Sequence, residues 1–430
     1  MDALNTLTTG SLLSLTLDST TLIYLLVFFF VIAVIIGISV VMNKSSTMST
    51  PSNISRISGT QLTQLETVLA PYSKSKSSLI SQQVPANQKA LVNFAPLTVM
   101  NPGYVGPTEN GVYKENEAVS AALKAGARCF VLPIDYHENS GLPKPAFPAS
   151  GEPCLLQRDS GGVIRSLNAG SIQKVSEALA NLAFNDVISL RTDPLVVVLY
   201  FVKTPQPNSK EYLRYCSKVA KELNPLIPFM LGQAPEGVYN RQARQDELLY
   251  TPLQNLEKKV IIMSNIDTTI FRNPKSVGIQ AVSQREDLDF MTHLRLFAQT
   301  DVSLGATEKA SQNQFPRGYV ESFSYYTAIP EKRIKDTQDA NRIRWVVAIP
   351  TETPSVKQMK TVMETLGVQA IPLTLYSFGE SEKPILDMWK SSGWKVKPEN
   401  IRFTKPAPIQ PKEPSPKLNA NKGQLSSPTI

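Results

Sequence analysis

Eight short apolar runs of strand character recur between residues 91 and 376, several of them separated by amphipathic helical stretches, and this alternation restricts the fold more than any other feature of the chain. The runs fall at 91–100, 127–134, 153–158, 194–202, 258–264, 319–325, 344–349 and 370–376. Helical periodicity occupies 115–124, 171–184, 210–223, 286–297 and 355–366. Strand and helix in alternation indicate an α/β fold with a parallel sheet, and eight strands point to a (β/α)8 TIM-like barrel. Periodicity alone leaves a doubly wound open sheet as the alternative. With 42% hydrophobic residues the chain has ample apolar material for such a core.

A second constraint lies ahead of the alternating region. Residues 22–42, LIYLLVFFFVIAVIIGISVVM, form an uncharged apolar run. At about 1.5 Å per residue this matches a hydrocarbon core of roughly 30 Å, and predicts one transmembrane helix. No Lys or Arg precedes it and no small-residue cleavage site closes it, which argues against a signal peptide. Lys44 and Arg56 follow the run while Asp2 and Asp18 precede it. That bias predicts an N-terminus outside, with the bulk domain cytosolic or on the equivalent face inside a virion. Three cysteines without paired spacing, Cys129, Cys154 and Cys216, fit a reducing space. The formal charge of +8 is spread along the chain, which argues against nucleic-acid binding.

The expected organisation is therefore a short segment 1–21, the transmembrane helix 22–42, and a Ser/Thr-rich linker 43–65 read as a flexible tether. A barrel domain at 66–403 and a disordered Pro/Lys-rich tail at 404–430 follow. The tail offers PxxP pieces to SH3- or WW-type partners.

Six stretches in order, ALKAGARCFVLPI (122–134), PLVVVLYFV (194–202), LQNLEKKVIIMS (253–264), ESFS (321–324), LGVQAIPLTL (366–375) and GWKVKPENIR (393–402), resemble phosphatidylinositol-specific phospholipase C. ALKAGARCFVLPI (122–134) is similar to that family's "AL-AGCRCVELD", PLVVVLYFV (194–202) to its "PVILSIENH", and LQNLEKKVIIMS (253–264) to its "L+GKILIKG". ESFS (321–324) resembles "SFSE", LGVQAIPLTL (366–375) resembles "AGCQMVALNF", and GWKVKPENIR (393–402) resembles "GYVLKPEFLR". The resemblance implies a barrel of the phospholipase C-like phosphodiesterase type, with an X-like half at about 90–265, a joining insertion at about 266–341 and a Y-like half at about 342–403.

It also implies a site that this chain has emptied. The family's first catalytic histidine falls on Met100, beside Asn101 at a metal-binding asparagine position. Its carboxylate ligands fall on Val131, Pro133 and Tyr200, and its headgroup lysines on Met263 and Asn265. A thioether transfers no proton, and Asn101 alone holds no Ca²⁺. The chain has two histidines in all, His137 and His293. His293 is expected on a surface helix; His137, with Asp135 and Glu138, forms the one polar cluster at the barrel mouth with acid/base potential, against the plainer reading of a polar loop.

The reading that follows is a membrane-anchored, catalytically inactive barrel acting as a lipid-headgroup-binding or scaffold protein, with no cofactor. The alternative is a divergent phosphoric diester hydrolase using Asp135, His137 and Glu138, with Ca²⁺ implied only in that case. Interspersed basic residues, among them Lys258, Lys259, Arg317, Lys332 and Arg333, are candidates for contact with anionic phospholipid. A drifted site on a retained barrel, with an added anchor and tail, is also the pattern expected of a large DNA virus.

Overall fold

Strands apolar on both faces need cover on both sides, and a curled parallel sheet wrapped by helices supplies it. The computed structural model describes residues 23–24, 26–34, 50–74, 76–78, 84–107, 109–136, 146–159, 161–231, 248–280, 282–298, 317–377 and 382–405. The strands are β1 Phe94–Pro96, β2 Thr98–Met100, β3 Tyr104–Val105, β4 Val112–Tyr113, β5 Cys129–Tyr136, β6 Pro153–Leu155, β7 Leu195–Phe201, β8 Val260–Ser264, β9 Leu294–Ala298, β10 Gly318–Ser322, β11 Trp345–Ile349 and β12 Trp394–Val396. The helices that matter most are α1 Pro51–Leu69, α2 Glu115–Lys124, α3 Ile172–Leu182, α4 Lys210–Glu222 and the single turn α5 Leu288–Met291.

Seven strands run parallel in the order β2-β5-β7-β8-β9-β10-β11. The two edges meet through residues 370–373, where Ala370 forms a parallel bridge to Val347 and Leu373 one to Val99. Four backbone hydrogen bonds make this seam: Met100 to Leu373 and Leu373 to Thr98 at 2.9 Å, Ala348 to Ala370 at 2.8 Å, and Ala370 to Val346 at 3.0 Å. The predicted run at 370–376 thus supplies an eighth stave and the sheet closes on itself.

Alternation along the staves sorts two cores. Phe130, Leu132 and Ile134 of β5, with Val197 and Leu199 of β7, face the helices. Cys129, Val131, Val196, Val198, Ile261, Met263, Leu294, Leu296, Val320, Val347 and Trp345 fill the interior. Trp345 is fully buried there and acts as a plug. At the N-terminal end β1 pairs antiparallel with β12 and closes the floor with Phe94 and Trp394.

The helices expected at 115–124, 171–184 and 210–223 form as α2, α3 and α4. Ser171 and Ser209 cap the latter two by accepting the Lys174 and Tyr212 amides. The helix expected at 355–366 starts after Ser355, which forms a capping box with Gln358, and runs on as the π turn Thr361–Thr365.

Several expectations need correction. The stretch 286–297 is one helical turn, α5, followed by the stave β9, because Leu294 and Leu296 satisfy a strand's period as well as a helix's. The run at 153–158 is no stave: β6 pairs antiparallel with β5 outside the ring. The supposed insertion 266–341 contributes β9 and β10 to the ring, while residues 299–316 between them lie outside the described residues. The linker 43–65 is not a tether beyond residue 50. From Pro51 it is helix α1, which buries Leu65 and Leu69 on the barrel and lays Gln61 against Gly106.

Of the predicted transmembrane span 22–42, residues 23–24 and 26–34 are helical and exposed, and the rest lie outside the described residues. Among the described residues no helix is long and apolar enough to cross a membrane. The tail from residue 406 lies outside the described residues as well.

Candidate functional site

Parallel staves deliver their C-terminal ends to one rim, so Met100, Tyr136, Phe201, Ser264, Ala298, Ser322 and Ile349 all close on the same mouth. The inward positions that the resemblance assigns to chemistry are apolar here. Val131 and Met263 are fully buried in the interior core, Pro133 is buried beside them, and Met100 lies partly buried at the end of β2. Tyr200 is the last inward residue of β7; burial raises its hydroxyl pKa and the Glu321 carboxylate adds to the rise. Asn265 is used by the backbone, accepting the Phe201 N–H at 2.8 Å and donating to the Phe201 carbonyl at 3.2 Å.

Polar groups at the mouth are satisfied by one another. Asn101 sits at φ +54°, a left-handed conformation that asparagine tolerates, and is 2% exposed. Its Oδ1 accepts the Tyr113 hydroxyl at 2.7 Å and its Nδ2 donates to Gln157 Oε1 at 2.9 Å. The same Gln157 oxygen accepts the Tyr376 hydroxyl at 2.9 Å. Tyr104 packs edge-on against both Tyr113 and Tyr376, with ring centroids at 5.1 and 4.6 Å. Burial pushes all three phenols above their ordinary pKa, so they are donors and not bases near neutral pH.

The ionic element of the mouth is a fork. Asp135, 1% exposed at the end of β5, receives Arg158 Nε on Oδ2 at 2.5 Å and a terminal guanidinium nitrogen on Oδ1 at 3.0 Å. The other terminal nitrogen of Arg158 donates to the Gly162 carbonyl at 2.5 Å. Arg158 and Ile164 pair across a hairpin whose turn, at Asp159, accepts the Val163 and Gly162 amides.

Of the proposed acid/base set, only Asp135 lies among the described residues, and its carboxylate is taken by Arg158; His137 and Glu138 lie outside them. His293 is not on a surface helix. It stands in the turn before β9, accepts the Ile262 amide on Nδ1 at 2.9 Å and lies 3.3 Å by Nε2 from the Leu231 carbonyl, so it extends the edge of β8. Burial holds the Cys129 and Cys154 thiols at about 12 and raises Cys216 too, leaving no thiolate chemistry.

Ca²⁺, which the resemblance implies, finds no matching donor set. The Asn101 amide is engaged on both atoms, the Asp135 carboxylate on both oxygens, and Val131, Pro133 and Tyr200 bring no carboxylate. Among the described residues no three His, Cys, Asp or Glu side chains form a group that could hold a metal ion. Sequence reasoning missed Arg158, Gln157, Tyr113 and Tyr376. The signal available was positional: Tyr376 ends the last predicted strand, and Gln157 and Arg158 end the predicted run at 153–158.

No protein-family model matches the chain, and no curated protein does. Among solved structures it is similar to the crystal structure of S. officinalis PLC21, at 14% identity and a TM-score of 0.49 over 76% of this chain. It spans 40% of that protein's length. It is also similar to a calcium-dependent phosphoinositol-specific phospholipase C from Pseudomonas sp., in an apo form at 9% identity and TM-score 0.33, covering 73% of this chain and 97% of that one. The myoinositol complex of that enzyme gives 9% identity and TM-score 0.36, over 72% and 96% of the two chains.

Proposed function

We propose that this protein is a phospholipase C-like barrel, anchored in a membrane by residues 22–42, that does not cleave phosphodiesters and acts as a binding or scaffold protein for anionic lipid headgroups or proteins. One observation carries the reading: at the mouth of an intact ring, the only buried carboxylate described on a catalytic rim position, Asp135, is neutralised by Arg158 from the same chain. General acid/base catalysis needs a group that titrates near the working pH and reaches substrate, and the mouth supplies saturated amides, protonated phenols and a closed ion pair instead. The exposed apolar helix at residues 23–24 and 26–34 supports the anchor.

The test is hydrolysis of phosphatidylinositol and its phosphorylated forms by the full chain reconstituted in vesicles, with Ca²⁺ and with chelator. No turnover in either arm is the expected result. Turnover that chelator abolishes would refute the proposal and move the chemistry to Asp135, His137 and Glu138. Flotation with vesicles of differing headgroup then separates lipid recognition from a purely protein scaffold.

A further inference from the structure

We infer that the outer face of α4 is a docking groove for an acidic, extended peptide segment of another protein, independent of the barrel mouth. Helix α4 buries Tyr212, Leu213, Tyr215, Cys216, Val219 and Ala220 against the barrel. Its opposite edge carries Lys210, Arg214, Lys218 and Lys221, spaced so that they line one side of a cleft of about 410 Å³. The facing wall is Gly278, Ile279, Val282 and Glu286.

The charges in this cleft are only half compensated. Lys221 pairs with Glu286 and Lys218 with Glu152, each at 2.7 Å. Lys210 and Arg214 are exposed and have no ion-pair partner among the described residues. Glu211, between them in sequence, is occupied by the Tyr136 hydroxyl. The groove therefore holds two cations outside ion pairs, and its lining includes the partly exposed apolar side chains Ile279 and Val282. The facing wall leaves open space at Gly278, where a Cβ would meet no atom within 4 Å.

Shape selects the occupant. The four cations extend along about 16 Å of helix, which about five residues of extended chain cover. An extended peptide can lay alternate side chains between α4 and residues 278–286. The Arg214 guanidinium fork suits a carboxylate, and an apolar side chain at the next inward position reaches Ile279 and Val282. Charge complementarity would set the orientation and the association rate, and the apolar contact the lifetime.

The experiment titrates the full chain, held in phosphatidylcholine nanodiscs, into a fluorescein-labelled peptide of alternating glutamate and leucine, read by anisotropy. Saturable binding is expected. It should weaken about tenfold in Lys210→Glu/Arg214→Glu, as expected for two exposed pairs turned to repulsion. Replacing the peptide's glutamates with lysine should restore binding to that reversed variant and remove it from the original. Lys210→Gln/Arg214→Gln, which leaves α4 its helix formers, should weaken binding in the same direction. Equal binding by the original and reversed chains, or no saturation, would overturn the proposal. So would displacement of the peptide by phosphatidylserine vesicles recruited through the same two residues, which would assign the patch to a membrane.

Discussion

Replacing Arg158 with Ala tests whether the mouth is a sealed structural element. The substitution removes both hydrogen bonds to Asp135 and the one to the Gly162 carbonyl, and leaves a carboxylate whose side chain is 2% exposed with no cation beside it. Breaking a buried pair from one side costs about 3–5 kcal/mol, because the surviving charge stays desolvated. A domain of about 340 residues unfolds with an entropy near 0.7 kcal/mol per degree, so the midpoint should fall by about 4–7 °C. Removing both charges together, as Asp135→Leu/Arg158→Met, should cost clearly less, about 0–2 kcal/mol, since apolar groups of similar volume refill the site. Differential scanning calorimetry and urea unfolding of the parent, Asp135→Leu, Arg158→Met and the double variant give the coupling energy directly. A single variant within about 1 kcal/mol of the parent, or a double variant less stable than Arg158→Ala, would refute the reasoning.

Three further outcomes follow from buried groups. Burial lowers the Lys76 ammonium to about 8 from its ordinary 10.5, while its Nζ donates to the Trp389 and Lys390 carbonyls. The unfolded chain keeps that proton longer, so this group makes stability rise with pH between about 8 and 10.5, and Lys76→Met should remove that part of the slope in urea titrations. Burial, with Glu152 adding to it, raises Glu222 to about 7 against the Gln173 amide that it accepts. The folded state then holds the proton that the unfolded one has lost, so stability falls as pH climbs through about 7, and Glu222→Gln should flatten the fall. Trp345→Ala, which removes a fully buried side chain of the interior core at the start of β11, should cost about 3–5 kcal/mol in chemical denaturation, with no effect on the α4 groove.

The parts of the fold legible in the sequence are those where one periodicity has no rival. Helices α3 and α4 combine a serine cap with a clear apolar stripe, and β7 is seven apolar or aromatic residues with no helical alternative at that length. Leu288 to Leu296 carries both periods, and tertiary pairing with β8 and β10 decides it. In α1 the Ser and Thr residues hid a stripe of Ile54, Ile57, Leu62, Leu65 and Leu69 at helical spacing. The apolar character of the positions that the resemblance assigns to chemistry, such as Val131, Pro133 and Met263, can be read directly from the strand-like runs that contain them. Arg158 was not legible, since pairing between residues 23 apart across an antiparallel strand outside the ring has no local signature.

The seam at residues 370–373 sets an order for biogenesis. Val99 and Leu373 lie at nearly opposite ends of the domain, so a chain emerging from the ribosome exposes the free backbone edge of β2 through almost its entire synthesis. Closure waits for the last stave and must meet the entropy of a very long loop, which places it late and makes it slow. Until then the nascent sheet is a curved strip with two sticky borders. The segment after α1, made before any stave and reaching forward to residues 383–391 through Tyr72, Lys76 and Ser77, can lock only once those late residues have been made. First-made and last-made segments therefore act together as a clasp, and a chain stalled anywhere before it would be a target for chaperones rather than a smaller working domain.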